Sequence, residues 1–288
     1  MRGWLCALCL LGSLSARAQS PVWALRGAHN TVYLAESVHV LKPGQSQLPQ
    51  ALQRAYEAAS IIVMEVDLSQ LDPTRLGAYL LQHGSLPAGT TLQQSLGPDA
   101  YASLQAQTER LGLPLEALQQ LAPWVVALTV TDAEYLKLGY DPDQGVERQI
   151  EHLAERDGKP LRGLETPEQE LGQLEHLTLE QQRRFLLLTL EDLDDAERQT
   201  DALLAAWRAG DTHRLGAVLS EEYARFPELY RALVSERNQH WMPQIEQFLH
   251  ESQDYLVIVG ALHVVGKGGL LELAAGAGLK VTPVLNRP

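Results

Sequence analysis

Cysteine is almost absent from this chain of 288 residues, and its only two copies are Cys6 and Cys9. Residues 1–18 have the pattern of a secretory signal peptide, with a charged start, a short apolar core and a small-x-small site that ends at Ala18. Cleavage after Ala18 would leave a mature chain without cysteine, which excludes disulfides and thiol chemistry. We therefore expect an exported protein of a bacterial envelope, either periplasmic or secreted.

Positive charge and long apolar runs are also scarce. The chain has 23 Lys and Arg against 36 Asp and Glu, which gives a net charge of -13. An acidic surface argues against nucleic acid and anionic membranes as partners. Beyond residue 18 no apolar stretch approaches the ~20 residues that span a bilayer, so no integral membrane segment is expected after cleavage. No linker divides residues 19–288, which we expect to form a single domain.

Two apolar segments near opposite ends of the chain each lead to a histidine, His39 and His263. Continuous runs of Val, Ile and Leu are typical of strands buried on both faces, as in a parallel sheet covered by helices. In such sheets ligands bind outside the carboxyl ends of the strands. Both imidazoles are therefore expected at the edge of the sheet where a site is built.

Each of these segments is followed by a turn, a helix and a second apolar strand, so the chain contains two strand-turn-helix-strand units at about 22–67 and 254–286. Right-handed crossovers predict that the second strand of each unit lies beside the first. The intervening segment, about 70–250, carries apolar residues at helical spacing. The predicted fold is thus mixed α/β, with a largely parallel sheet and a helical cap, and Pro243 should kink or split the last cap helix.

Glu65 ends an apolar strand, where a buried charge must find a partner. Two neutral imidazoles and one carboxylate can hold a divalent metal and leave a position for water, whose pKa the metal lowers. Such a ligand set, here His39, His263 and Glu65, suits Zn, Mn, Fe or Co equally. The chain contains no HExxH motif, and isolated histidines are commonly hydrogen-bonded structural residues, so a structural role for both is the alternative.

Arg237 and Asn238 lie inside a predicted helix, where Asn is not favoured by propensity, so at least one of them should contact something specific. Arg237 either binds a substrate carboxylate or oxyanion, or pairs with Glu165. Glu165 itself precedes Thr166 and Pro167, which have the pattern of a helix start.

Several segments in the same order along the chain resemble the TraB/GumN family, which is related to the Tiki proteases: residues 34–41, 62–67, 139–146, 164–169, 206–211, 236–241 and 259–271. The Tiki-like branch uses two GxxH motifs and an acidic residue as a divalent-metal peptidase site. The second motif is intact as Gly260-Ala261-Leu262-His263, and the acidic position is Glu65. The first motif reads Glu36-Ser37-Val38-His39, with Glu in place of Gly.

The resemblance implies a metal-dependent hydrolase of peptide or other small substrates, with His39, Glu65 and His263 as metal ligands and catalytic residues. Arg237 is a fourth catalytic candidate, on the separate ground that it could bind a substrate carboxylate or an oxyanion. The ligand types do not distinguish Mn, Co and Zn. Strand alternation places Glu36 on the face opposite His39. Glu36 is therefore expected to change the environment of the metal ligands, and a role as a new metal ligand is less favoured. Two alternatives remain, a non-catalytic periplasmic protein that binds a ligand such as haem, and a scaffold in which Glu36 has displaced the metal.

Overall fold

A computed structural model describes residues 20–285 of the chain, without the side chains of residues 219–223. The predicted signal peptide and its cleavage point lie outside the described residues. Six strands form a single sheet: β1 Val22–Arg26, β2 Thr31–Ser37, β3 Ile61–Val66, β4 Leu161–Glu165, β5 Tyr255–Gly260 and β6 Val281–Pro283. The sheet is mixed but mostly parallel, so the predicted fold class is confirmed.

The strand order in the sheet is β4-β3-β5-β2-β1-β6. The strands β4, β3, β5 and β2 run parallel, whereas β1 is antiparallel to both β2 and β6. The prediction that each second strand lies beside its first is wrong. Strand β5 separates β2 from β3, and β2 and β1 separate β5 from β6. The physical reason is burial, since every residue of β5 is buried and its apolar side chains are best covered at the centre of the sheet.

Alternate residues along the strands build two apolar layers, one on each face of the sheet. The first layer contains Leu34, Val63, Val257, Trp241 and Leu270. The second contains Ala35, Met64, Ile258, Leu52 and Trp207. Burial on both faces explains why the central strands read as continuous apolar runs in the sequence.

Fifteen α-helices are defined among the described residues. They are α1 Gln50–Ala58, α2 Pro73–His83, α3 Leu92–Leu96, α4 Pro98–Leu111, α5 Leu115–Leu118, α6 Pro123–Lys137, α7 Val146–Asp157, α8 Pro167–Glu175, α9 Leu179–Asp192, α10 Ala196–Ala209, α11 Thr212–Ala224, α12 Pro227–Tyr230, α13 Glu236–Phe248, α14 Ala261–Val264 and α15 Leu270–Gly276. None of the helices in the described part of the chain is long and apolar enough to cross a membrane.

The middle segment is mostly helical, as predicted, but it also supplies β4, which pairs with β3 at one edge of the sheet. Helix α13 continues through Pro243, so the predicted split at this residue is wrong. A π-helical segment at Arg231–Ser235 directly precedes α13. Helix α8 begins as predicted, with Thr166 accepting a hydrogen bond from the Gln169 N–H.

Candidate functional site

The carboxyl ends of β2, β3, β4 and β5 meet at one edge of the sheet. Ser37 at the end of β2 is in register with Gly260 at the end of β5, and Val66 is in register with Glu165 at the end of β4. Glu65 precedes the last residue of β3. The structure therefore gathers the predicted residues of distant segments at this edge, as expected from the strand pattern.

His39 lies just beyond β2 and is held by Glu147, in the first turn of α7. The His39 Nδ1 atom is 2.9 Å from Glu147 Oε1, which also accepts a hydrogen bond of 2.5 Å from the Ser37 hydroxyl. Because a carboxylate only accepts, Nδ1 carries the proton and Nε2 points away from Glu147. Glu147 raises the pKa of His39 well above its ordinary value. The side chain is 69% exposed, so solvent screens part of this attraction.

A close backbone contact fixes the segment that carries Glu147. The Val146 N–H donates to the Val38 carbonyl at 3.0 Å. A Cβ atom at Gly145 would lie only 2.2 Å from the His39 carbonyl oxygen, so only glycine fits there. The start of α7 and the residues before His39 are thus locked together.

Glu65 is buried and accepts two short hydrogen bonds. Its Oε1 atom accepts from the Gly260 N–H at 2.6 Å, and its Oε2 atom accepts from Arg237 Nη2 at 2.6 Å. Burial alone would raise the pKa of Glu65, but His263, Arg237, His39 and the Gly260 N–H lower it to about 2. The His263 ring contributes a positive charge only at acidic pH, where it is protonated. The carboxyl is therefore ionised at neutral pH.

His263 lies in α14, directly after β5, and is buried. Its Nδ1 atom is 2.8 Å from Asn238 Oδ1, while Asn238 Nδ2 donates to the carbonyls of His263 and Gly268. Because Nδ2 is occupied by these two acceptors, Oδ1 faces His263 and Nδ1 carries the ring proton. Burial lowers the pKa of His263 to about 4, so the ring is neutral at neutral pH.

Arg237 lies between His263 and a group of three carboxylates. Its Nη1 atom is 3.1 Å from His263 Nε2, and its Nη2 atom is 2.6 Å from Glu65, 2.5 Å from Glu165 and 3.5 Å from Glu170. The predicted pairing of Arg237 with Glu165 is thus present. Burial of the carboxyl end and the charge of Glu65 raise the pKa of Glu170 to about 7, but the side chain is 43% exposed, so solvent screens part of this effect.

The predicted ligands surround Gly260, but they do not form one compact group. A Cβ atom at Gly260 would lie 3.2 Å from Glu65 Oε1 and 3.4 Å from His39 Nε2, so the absence of a side chain leaves a small space between these two atoms. His263 Nε2 is 3.8 Å from the other oxygen of Glu65. The compact acidic group in the described chain is Glu65, Glu165 and Glu170, whose oxygens lie within 4.8 Å of one another.

Two residues of this site were missed in the sequence. Glu147 and Glu170 lie on the polar faces of amphipathic helices, where a carboxylate normally faces solvent. Glu147 lies 110 residues from Ser37, and Glu170 lies 67 residues from Arg237. The local pattern carries no signal for contacts of this range.

A model of the TraB/PrgY/gumN family matches residues 21–283. The chain belongs to this family. It is 24% identical over 268 residues to the uncharacterized protein YbaP of Escherichia coli strain K12, a match that covers 88% of this chain and 96% of YbaP. It is also 24% identical to the uncharacterized protein YbaP of Shigella flexneri, with the same coverage. No solved structure matches the chain.

Glu36 stands where the resemblance implies the glycine of a first GxxH motif. It is 1% exposed, and neither of its carboxylate oxygens has a hydrogen-bond partner among the described residues. Burial raises the pKa of Glu36 well above its ordinary value. Alternation along β2 directs its side chain to the face opposite Ser37, which shares Glu147 with His39.

A cleft of about 590 Å³ opens beside this edge of the TraB/PrgY/gumN sheet. The sheet side of the cleft is lined by Ser37, His39 and the Gly260 to Leu262 turn, and its other wall includes residues of α10. This volume lies within the range of small-molecule sites. His39 therefore borders a space in which a ligand could lie.

Proposed function

We propose that this TraB/PrgY/gumN protein is a divalent-metal-dependent hydrolase whose metal ligands are His39, Glu65 and His263. The observation that carries the proposal is the arrangement of the two imidazoles. Each ring uses Nδ1 to donate to a side-chain oxygen, of Glu147 in one case and Asn238 in the other, and leaves Nε2 toward the end of β5.

This arrangement matches the way proteins prepare histidine as a metal ligand. An oxygen partner on one ring nitrogen fixes the tautomer and the ring orientation, and leaves the lone pair of the other nitrogen for the metal. Glu65 is ionised and buried, and the space over Gly260 separates its Oε1 from His39 Nε2. These donor types suit Mn, Co or Zn. A divalent ion would lower the pKa of a water molecule enough to supply a nucleophile for amide or ester hydrolysis.

Arg237 occupies the nitrogen of His263 that would bind the metal. The Nη1 atom donates to His263 Nε2, so this contact must open before the nitrogen can bind a metal. The Nε atom donates to Glu165 at 2.9 Å and can keep that contact while Nη1 turns away. Arg237 would then remain beside the reacting group as a cation, in the catalytic role for which its sequence position made it a candidate.

The same Arg237 contacts favour a second candidate function, a protein that binds a ligand in the cleft without a metal. In that case Arg237 is the permanent cation of Glu65 and Glu165, and exposed His39 contacts the ligand directly. Haem ligation is one form of this function. A change of the Soret band in His39→Ala would support it, and an unchanged band would exclude it.

The deciding experiment is elemental analysis by mass spectrometry of protein purified without chelator or an affinity metal. His39→Ala and His263→Ala are compared with the wild type and with His240→Ala. His240 is a matched control because it is exposed on α13 and bonds only within its own helix. We expect near-stoichiometric metal in the wild type and the control, and its loss in both site variants.

The hydrolase proposal fails if the wild type holds no metal even after incubation with Mn, Co and Zn. Activity supplies a second test, because hydrolysis should stop with a chelator and return with one divalent ion. Ligand binding that survives chelation would support the second candidate. Export is a further proposal, resting on the pattern of residues 1–18, and amino-terminal sequencing of protein from the envelope fraction tests it.

A further inference from the structure

The helical cap contains a cavity of about 270 Å³ with an apolar wall. The wall is part of one apolar cluster of the cap, and the residues of this cluster that line the cavity are Leu128, Phe185, Leu188, Phe226, Leu229 and Leu233. Apolar cavities of about 150 Å³ hold benzene, so this volume is enough for one aromatic ring with a short substituent. The size and the wall of the cavity therefore suit a small apolar molecule.

The charged residues around the cavity disfavour a charged ligand. Glu134, whose side chain is 4% exposed, accepts from Arg110 at 2.5 Å, and Arg225 pairs with Asp192 and Glu191. Three carboxylates against two guanidinium groups leave an excess of negative charge, which repels an anion. Asp192 and Glu191, which share one arginine, are 30% and 64% exposed, so solvent screens this excess. It would compensate an ammonium group poorly for its lost hydration, and an uncharged ligand is favoured.

One part of the cavity wall leads directly to the candidate site. Leu229 and Leu233 belong to a continuous helical segment that contains the π-helical turn Arg231–Ser235 and runs on into α13. The Leu233 carbonyl accepts a hydrogen bond of 3.1 Å from Arg237 Nη1, the same atom that is 3.1 Å from His263 Nε2. Turns of this kind are rare in helices and are frequent at functional sites. A residue that lines the cavity therefore also holds the guanidinium that contacts His263.

We propose that the cap cavity binds a small uncharged apolar molecule, and that this molecule opposes metal binding by holding Arg237 against His263. Release of Nη1 from His263 would also free the Leu233 carbonyl, so the π-helical turn could repack and change the wall of the cavity. A ligand stabilises the state to which it binds better, which here is the state with the cavity formed. The effect on the metal rests on the proposed hydrolase function, whereas ligand binding and its effect on Arg237 do not.

Calorimetry on metal-free protein in the presence of a chelator tests the binding. The probes are ethylbenzene, benzylamine and benzoate, which are similar in size but uncharged, cationic and anionic at neutral pH. We expect ethylbenzene to bind with a Kd of about 1 mM or lower, and each charged probe to bind at least about ten times more weakly. Equal or tighter binding of either charged probe would overturn the assignment of an uncharged ligand.

Variants that fill the cavity locate the binding. Ala196→Trp places a large ring in the cavity, because Ala196 lines it, and should abolish ethylbenzene binding. Ala205→Trp is the matched control, because Ala205 is exposed on the same helix and does not line the cavity, and should retain the binding. Thr189→Phe fills the same cavity and replaces Ala196→Trp if that variant does not fold. No binding by the wild type, or binding that persists in the filled variants, would overturn the proposal.

The effect on Arg237 is measured by NMR, as the exchange of its guanidinium protons with solvent in the metal-free protein. Because couplings between sites are typically about 5–150-fold, saturating ethylbenzene should slow this exchange at least about fivefold. Leu233→Ala should remove most of the effect, because it deletes the side chain that joins the ligand to the Leu233 carbonyl. Leu188→Ala deletes the same atoms from another wall of the cavity and should retain the effect. Equal effects in these two variants, or none in the wild type, would overturn the coupling.

Titration of the wild type with Mn, Co and Zn supplies the last test. Ethylbenzene should weaken metal binding at least about fivefold, and the metal should weaken ethylbenzene binding by the same factor, because coupling between two ligands is reciprocal. Unchanged or tighter metal binding would overturn the opposing role of the ligand. A wild type that binds no metal would reject the hydrolase proposal, while ethylbenzene binding and slowed exchange at Arg237 would still support the cap site.

Discussion

Replacing Arg237 with methionine should destabilise the protein strongly, and more at neutral than at acidic pH. The side chains of Arg237, Glu65 and Glu165 are 7%, 10% and 8% exposed. Arg237 donates to both carboxylates and to His263. Methionine keeps much of the volume but leaves the two carboxylates buried without their cation.

Removing one partner of a buried ion pair costs about 3–5 kcal/mol, because the other charge stays buried and unpaired. The pH dependence follows from the same carboxylates. In the wild type Glu65 has a lowered pKa, so its contribution to stability is present above about pH 4.5 and is lost as the pH falls toward 2. In the variant, burial is no longer offset by the guanidinium, and the pKa of Glu65 should be raised. A raised pKa costs stability above pH 4.5, so the difference between the two proteins should grow from pH 4.5 to pH 7.

Urea unfolding followed by circular dichroism at pH 4.5 and pH 7 measures this difference. Arg75→Met is the matched control, since Arg75 pairs with Glu168 but is 71% exposed, and its loss should cost about 0–1 kcal/mol at either pH. A loss below about 1 kcal/mol for Arg237→Met, or the same loss at both pH values, would refute the argument that Arg237 neutralises buried carboxylates.

Three further predictions concern neighbouring positions. Gly260→Ala should lower the affinity for a metal at least tenfold in a metal titration, because the added Cβ crowds the Glu65 carboxylate and the His39 imidazole. Urea unfolding should change little, because the backbone angles at Gly260 suit alanine. Gly276→Ala, whose Cβ meets open space, should change neither the metal affinity nor the unfolding, and equal metal affinity of the two variants would contradict the argument. Glu36→Leu should raise the free energy of unfolding by about 1–3 kcal/mol at pH 7, because it removes a buried carboxyl that has no partner in the described part of the chain. The gain should shrink toward pH 4, where the wild-type carboxyl is mostly protonated in the folded and the unfolded state, and no gain at pH 7 would mean that this carboxyl has a partner. Asn238→Asp should raise the pKa of His263 by placing a negative charge beside Nδ1, as followed by NMR titration of the ring, and an unmoved pKa would show that the two side chains are not in contact.

The parts of the fold that could be predicted are those encoded by local patterns. Apolar runs identified β2, β3 and β5, and the polar residues that end them placed His39, Glu65 and His263 at one edge of the sheet. Strand order could not be read in this way, because it depends on which strand is best buried at the centre. Strand β4 was missed because its sequence contains Arg162 and Gly163, both exposed at the edge of the sheet, and carries little apolar signal.

The site was predictable in its residues and not in its contacts. Strand ends selected the two histidines and Glu65, and the unfavourable position of Asn238 within a helix indicated a specific contact, which is the hydrogen bond to His263. The position of Arg237 between His263 and Glu65 was not predictable, because it depends on how α13 packs against the sheet. This contact changes the chemistry, since a nitrogen expected to face a metal instead accepts a hydrogen bond.

Glu36, which replaces the glycine of the first GxxH motif, should affect His39 less than the change of the motif alone implies. His39 and His263 each follow their motif position by three residues, but β2 and β5 are paired so that Gly260 is in register with Ser37, and Glu36 with Val259. The two motif positions, Glu36 and Gly260, are therefore offset by one residue in the register. Alternation along the strands places them on opposite faces of the sheet. A side chain at 260 would intrude between Glu65 and His39, whereas the one at 36 is buried on the face opposite Ser37. We therefore expect the glutamate to lower the stability of the sheet, because its carboxyl has no hydrogen-bond partner within residues 20–285, while the space beside the His39 imidazole stays open.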